Sequence, residues 1–149
     1  MKNNVATRLA VLLETIPTLL LAFSEEEFSQ KPSPNKWSKK EILGHLIDSA
    51  ANNHQRLIRT QYENVPVLFY DQNKWNELNH YQQLTANHLI QFWTIYNQHV
   101  LEIIKRMPQA HLGKECQVGN GEMVTIQYIM DDYVLHLEHH LKQIINDVI

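Results

Sequence analysis

The chain has 149 residues, 44% hydrophobic and 19% charged, with a net charge of -3. That length fits one domain, residues 1–149, and the absence of a basic run argues against a nucleic-acid partner. No apolar run approaches the roughly 20 residues that span a bilayer, and the N-terminus leads into an amphipathic segment rather than a signal peptide, so the expectation is a cytoplasmic protein with no membrane partner.

The first helix is expected from about Asn4 to Phe23. Leu9, Leu12, Leu13, Ile16, Leu19 and Leu20 repeat at three- and four-residue spacing. Pro17 falls inside this pattern and should kink or split it. The connection from Ser24 to Asn35 is rich in Pro and polar residues, and Ser24-Glu25-Glu26-Glu27 could start a short helical turn there. Ser38-Lys39-Lys40-Glu41 is a capping box, which predicts a second helix running to about Thr60. From Val65 to Tyr81 the pattern is irregular, and Trp75 is expected to pin this long connection to the body of the domain. The third helix is predicted from about Thr85 to Met107, stopped by Pro108, with Leu89, Phe92, Trp93, Tyr96, Val100, Ile103 and Ile104 as its apolar stripe. Residues 110–124 form a loop or a small hairpin, with Gly119-Asn120-Gly121 as the turn signal. The fourth helix starts near Thr125 and runs almost to the C-terminus.

Gly is scarce, four residues in all, which favours long helices over many short strands. Four amphipathic helices predict an all-α, antiparallel four-helix bundle, and the long connection between helices 2 and 3 permits a crossover. The single cysteine, Cys116, has no intramolecular partner and reads as a buried or incidental loop thiol.

Nine histidines are the unusual feature. With His136 at 0° and about 100° per residue, the apolar positions Ile126, Met130, Val134, Leu137, Leu141, Ile144 and Val148 fall at about 80–160°. His140 falls at about 40° and Tyr133 at about 60°, on the edge of the buried face, while His139 points to solvent near 300°. Histidines at i and i+4 can share a metal ion, although such a pair also arises without one. On the second helix His45 heads a polar stripe with Ser49, Asn52 and Arg56, beside an apolar face of Leu43, Leu46, Ala50 and Leu57. The stripe suits the wall of a wet cleft, and equally a solvated outer face. Neutral imidazoles suit several divalent ions. His54, His80, His88, His99 and His111 show no comparable spacing and read as surface or loop residues.

The segment Trp37-Ser38-Lys39-Lys40-Glu41-Ile42-Leu43-Gly44-His45-Leu46-Ile47-Asp48, extended by Asn53-His54-Gln55-Arg56, resembles the first motif of the DinB and YfiT-like superfamily. The stretch from Tyr133 to Ile144, with its two histidines four apart, resembles that family's last-helix signature. The resemblance covers nearly the whole chain. It implies a DinB/YfiT-like four-helix bundle, often dimeric, with a three-histidine metal site; carried over, the ligands are His45, His136 and His140. It implies a divalent ion (nickel, zinc or iron) and, in some relatives, a low-molecular-weight thiol cofactor used in transferase or isomerase reactions. Other relatives are described as metal-dependent hydrolases.

Two functions are therefore expected. One is an enzyme acting on a small-molecule substrate, with Tyr133, Ser49, Asn52 and Arg56 near the ligands and Asp48 or Asp132 orienting a ligand histidine. The other is a non-catalytic, stress-related dimeric module that binds a small molecule.

Overall fold

The computed structural model describes residues 2–146, with side chains from residue 4 onward; Val148 lies outside them. Among the described residues six α-helices appear in chain order: α1 (Lys2–Leu21), α2 (Glu25–Ser29), α3 (Lys39–Tyr62), α4 (Gln72–Asn79), α5 (Ala86–Arg106) and α6 (Ile126–Ile145). Two three-residue strands, β1 (Glu115–Gln117) and β2 (Met123–Thr125), pair antiparallel as a small hairpin.

The helix starts follow the local chemistry. Ser24 and Ser38 both form complete capping boxes, with Glu27 and Glu41 reaching back to the cap amide. Thr85 and Thr125 cap α5 and α6 through their hydroxyls. Pro17 does not split α1, which is one continuous helix. The lost amide bond is tolerated because packing holds both halves: Val5 and Leu9 before the proline and Ile16 and Leu20 around it are buried.

The long helices α1, α3, α5 and α6 form the bundle. α1 packs against α5 and α6, and α3 packs against the same two. Helices consecutive in the chain therefore face each other across the bundle in two cases, α1 with α3 and α5 with α6. Long links containing α2 and the hairpin make those crossings. α3 and α6 run antiparallel, since His45 lies beside His140 and Ser49 beside His136. The core between the four helices is filled by Leu43, Leu46 and Leu57 of α3, Leu89, Trp93 and Ile104 of α5, and Val134, Leu137 and Leu141 of α6.

Several expectations need correction. Within α1, Asn4–Leu21 is 18 residues long with mean hydropathy 1.3, so by length and composition it could span a membrane, contrary to the sequence reading. In the bundle its inner face is packed, and Arg8 pairs with Glu138 of α6. The irregular 65–81 stretch holds α4, capped by Asp71. Trp75 is not its main anchor: it meets Tyr70 edge-on at 5.8 Å. Buried Asn76, donating to the Glu41 carbonyl at 2.8 Å, and buried Tyr81 hold the link to α3. Leu19 and Phe92, expected in apolar stripes, are 46% exposed. Cys116 is buried, in strand β1 rather than a loop.

Candidate metal centre

His45 sits two turns into α3, and His136 and His140 sit one turn apart on α6. Because α3 and α6 are antiparallel neighbours, side chains 91 residues apart in the chain meet: His45 Nε2 is 3.0 Å from His136 Nε2. The three ring centroids are 4.9, 4.8 and 4.5 Å apart, and one ligand atom from each residue lies within 4.8 Å of the others. Among the described residues this is the one group of three or more His, Cys, Asp or Glu side chains with that convergence.

The surroundings keep these rings neutral. Burial, and then His140, push His45 down from 6.5 to about 4. Burial and the neighbouring histidines push His136 down to about 3. Burial also lowers His140, against a hydrogen bond to Gln143 that raises it. A neutral imidazole offers one lone pair, and the hydrogen bond at the other nitrogen decides which. His140 Nδ1 donates to Gln143 Oε1 at 2.9 Å, leaving Nε2 as the acceptor. Ser49 Oγ lies 3.5 Å from His136 Nδ1 and also accepts from Asn53 Nδ2 at 3.2 Å. His45 is packed under Trp37, ring centroids 5.0 Å apart, and its buried Nδ1 has no hydrogen-bond partner.

This donor set fits a divalent ion. In a tetrahedral site with bonds of about 2 Å, ligand nitrogens stand about 3.3 Å apart, close to the 3.0 Å between His45 Nε2 and His136 Nε2, and the full set lies within 4.8 Å. Without an ion, the facing Nε2 atoms of His45 and His136 satisfy one another only if one of them carries the proton. With three protein ligands, an ion would keep at least one position open.

The other expected residues divide. Ser49 touches His136, as anticipated. Tyr133 is fully buried in the core and donates to Asn97 Oδ1 at 2.5 Å, away from the cluster. Its position at the edge of the apolar stripe left its direction open, and packing turned it inward. Asn52 donates back to the Asp48 carbonyl at 2.9 Å. Arg56 is a clamp on the link: Nε and Nη2 donate to the Leu68 carbonyl at 3.1 and 2.9 Å, and its guanidinium lies 5.7 Å from the Tyr70 ring centroid. Asp48 is buried against Tyr81 and Asn79 and bonds to neither nitrogen of His45; burial raises its carboxyl to about 6, partly offset by the Tyr81 hydroxyl. Asp132 is exposed and hydrogen-bonds no ligand histidine. His139 points outward, as the helical count required. His54, by contrast, is half-buried and its Nδ1 lies 3.0 Å from the Tyr96 hydroxyl, with His99 alongside.

Trp37, Gln143 and Tyr81 were not singled out from the sequence. Gln143 was open to view, one turn beyond His140 on the same face. Tyr81 acts across 33 residues and gives no local signal.

The matching family model covers residues 8–144 and describes the DinB superfamily. The chain belongs to the DinB superfamily. A relative from Halalkalibacterium halodurans, named "Putative metal-dependent hydrolase BH0277", is 23% identical over 137 residues, covering 89% of this chain and 80% of that one. The fold matches that of YfiT from Bacillus subtilis with a TM-score of 0.87 at 16% identity, over 98% of this chain and 84% of that one. YfiT is described as a probable metal-dependent hydrolase with an unusual four-helix bundle topology. A mycothiol-dependent maleylpyruvate isomerase matches with a TM-score of 0.78 at 10% identity, over 95% of this DinB-superfamily chain and 59% of the isomerase. At those identities the structural matches establish the shared fold.

Proposed function

We propose that His45, His136 and His140 bind one divalent ion through Nε2 and that this DinB-superfamily protein is a metal-dependent hydrolase of a small molecule. The observation that carries the reading is the convergence of three neutral imidazoles from two antiparallel helices. A divalent ion there would supply Lewis acidity and lower the pKa of a nucleophile in its open position. The chain's own residues prepare that place. Gln143 holds His140 in the tautomer with a free Nε2. Ser49 meets His136 at its other nitrogen. Trp37 covers His45 and keeps water from one side of the cluster. The name of the Halalkalibacterium relative supports hydrolysis. The second reading, a transferase using a low-molecular-weight thiol, is supported by the fold shared with the mycothiol-dependent isomerase. A cytoplasmic homodimer remains our expectation for the working state.

Metal analysis of untagged protein tests the site. We expect about one nickel, zinc or iron per chain, lost in the His136→Ala, His140→Ala double variant. Metal retained by that variant would overturn the ligand assignment. Zinc-, nickel- and iron-loaded protein should then cleave activated esters without added thiol. Turnover of an electrophile only with a thiol would select the transferase, and inertness toward both would select the binding module.

A further inference from the structure

Ser49, Asn53 and Arg56 follow one another along α3, each about one turn beyond the last. Asn53 is the buried middle member. Its Nδ2 donates to the Ser49 carbonyl at 2.9 Å and to Ser49 Oγ at 3.2 Å. Its Oδ1 accepts from Arg56 Nη1 at 3.3 Å. A guanidinium only donates and a carbonyl only accepts, so contacts at both ends fix which way the amide faces. Turned over, it would set oxygen against the Ser49 carbonyl and N–H against the guanidinium. Arg56 is itself held, since Nε and Nη2 both donate to the Leu68 carbonyl.

The consequence is felt at Ser49. Its hydroxyl has one proton and two lone pairs. Asn53 Nδ2 occupies one lone pair and keeps Oγ beside α6, 3.5 Å from His136 Nδ1. Without that donor the serine is free to turn back and bond the carbonyl four residues earlier, as helical serines do. His45 indicates the sense of the contact with His136. The facing Nε2 atoms of the two neutral rings share one proton. If His136 supplied it, the His45 proton would sit on Nδ1, which is buried without a partner. A buried N–H lacking an acceptor is rarer than a buried acceptor lacking a donor. The shared proton therefore belongs to His45 Nε2. His136 carries its own on Nδ1, toward the second lone pair of Ser49, and its Nε2 lone pair faces the cluster.

We propose that Asn53 is a positioning residue of the metal centre: oriented by Arg56 and acting through Ser49, it holds His136 with Nδ1 protonated and Nε2 presented to the ion. The purpose rests on the metal-binding reading above; the arrangement of Asn53, Ser49 and His136 does not.

Two measurements test this. Chelator competition gives the zinc affinity of wild type, Asn53→Ala, Ser49→Ala and the double variant. Imidazole nitrogen NMR of metal-free protein locates the His136 proton. Asn53→Ala and Ser49→Ala should each weaken zinc at least about tenfold, as losses of ligand-orienting partners do. The double variant should match Ser49→Ala within about twofold, because Asn53 acts through the serine. In metal-free wild type the His136 proton should sit on Nδ1, and in Asn53→Ala it should divide between the two nitrogens. Unchanged zinc affinity in Asn53→Ala would overturn the proposal. So would a further loss when Asn53→Ala is added to Ser49→Ala, which marks general packing. A wild-type His136 protonated on Nε2 would overturn it even if no variant folds. Wild type that binds no zinc, yet shows the Nδ1 proton and its redistribution in Asn53→Ala, would support the orienting chain and sink the metal reading alone.

Discussion

Gly44 shows how closely the neighbourhood of His45 is packed. A Cβ built there would meet the Tyr81 ring at 2.1 to 2.6 Å. Tyr81 fills that space and donates its hydroxyl to buried Asp48, which also accepts from Asn79 Nδ2 at 3.1 Å. The backbone that carries His45 is thus wedged from outside the bundle by a residue of the α4–α5 link. Gly44→Ala should force the ring out. The expected cost is about 1–3 kcal/mol, as for other overpacked sites, with weaker metal binding because His45 is the next residue. Urea unfolding and a zinc titration read the two effects, and an unchanged midpoint would show that the wedge gives way without cost.

Among the elements, α3 matters most, because it carries one ligand and receives the wedge. Its start is held by Ser38, fully buried. The Ser38 hydroxyl accepts from the Glu41 amide at 3.1 Å and donates to Gln82 Oε1, while Glu41 accepts from the Ser38 amide at 3.1 Å. The same serine therefore caps the helix and fastens the link that follows α4. Ser38→Ala should destabilise the fold by about 1–2 kcal/mol, at the upper end for an N-cap, because the amide oxygen of half-buried Gln82 also loses its donor. A shift in urea midpoint below a few tenths of a molar would contradict this. The α4 helix itself was hidden in the sequence: its eight residues present only Asn76 as a buried position, so no apolar period announces it.

At the scale of the whole molecule, assembling the bundle buries the cluster, and stability should therefore depend on pH. His45 and His136 stay neutral in the fold down to about 4 and about 3, whereas in the unfolded chain they take up protons near 6.5. Their contribution is full above pH 6.5 and is lost as pH falls through 6.5 toward those values. Asp48 works in the opposite sense: its carboxyl is raised from 3.8 to about 6, so its contribution is full below 3.8 and lost as pH rises through 6. Two histidines outweigh one carboxyl. The melting temperature of metal-free protein should drop by several degrees between pH 7 and pH 4.5, and the drop should shrink in His136→Ala. A flat profile would mean that the cluster is solvated and protonates freely in the fold.

By itself the sequence determined the four long helices and the capped starts at Ser24 and Ser38, because capping boxes and three- and four-residue apolar spacing are local properties of the chain. It also separated His136 and His140 from His139, since angle around one helix follows from position alone. The resemblance to the DinB family, not any spacing, brought in His45. Only the tertiary structure decided that α3 and α6 are neighbours while α5 and α6 face each other across the bundle, because side-by-side choice among amphipathic helices depends on how their ridges and links fit together. That choice brings His45 to within 3.0 Å of His136. It also turned Tyr133 into the core and made Arg56 a clamp on the link, since a residue at the edge of a helical stripe takes its direction from what packs against it.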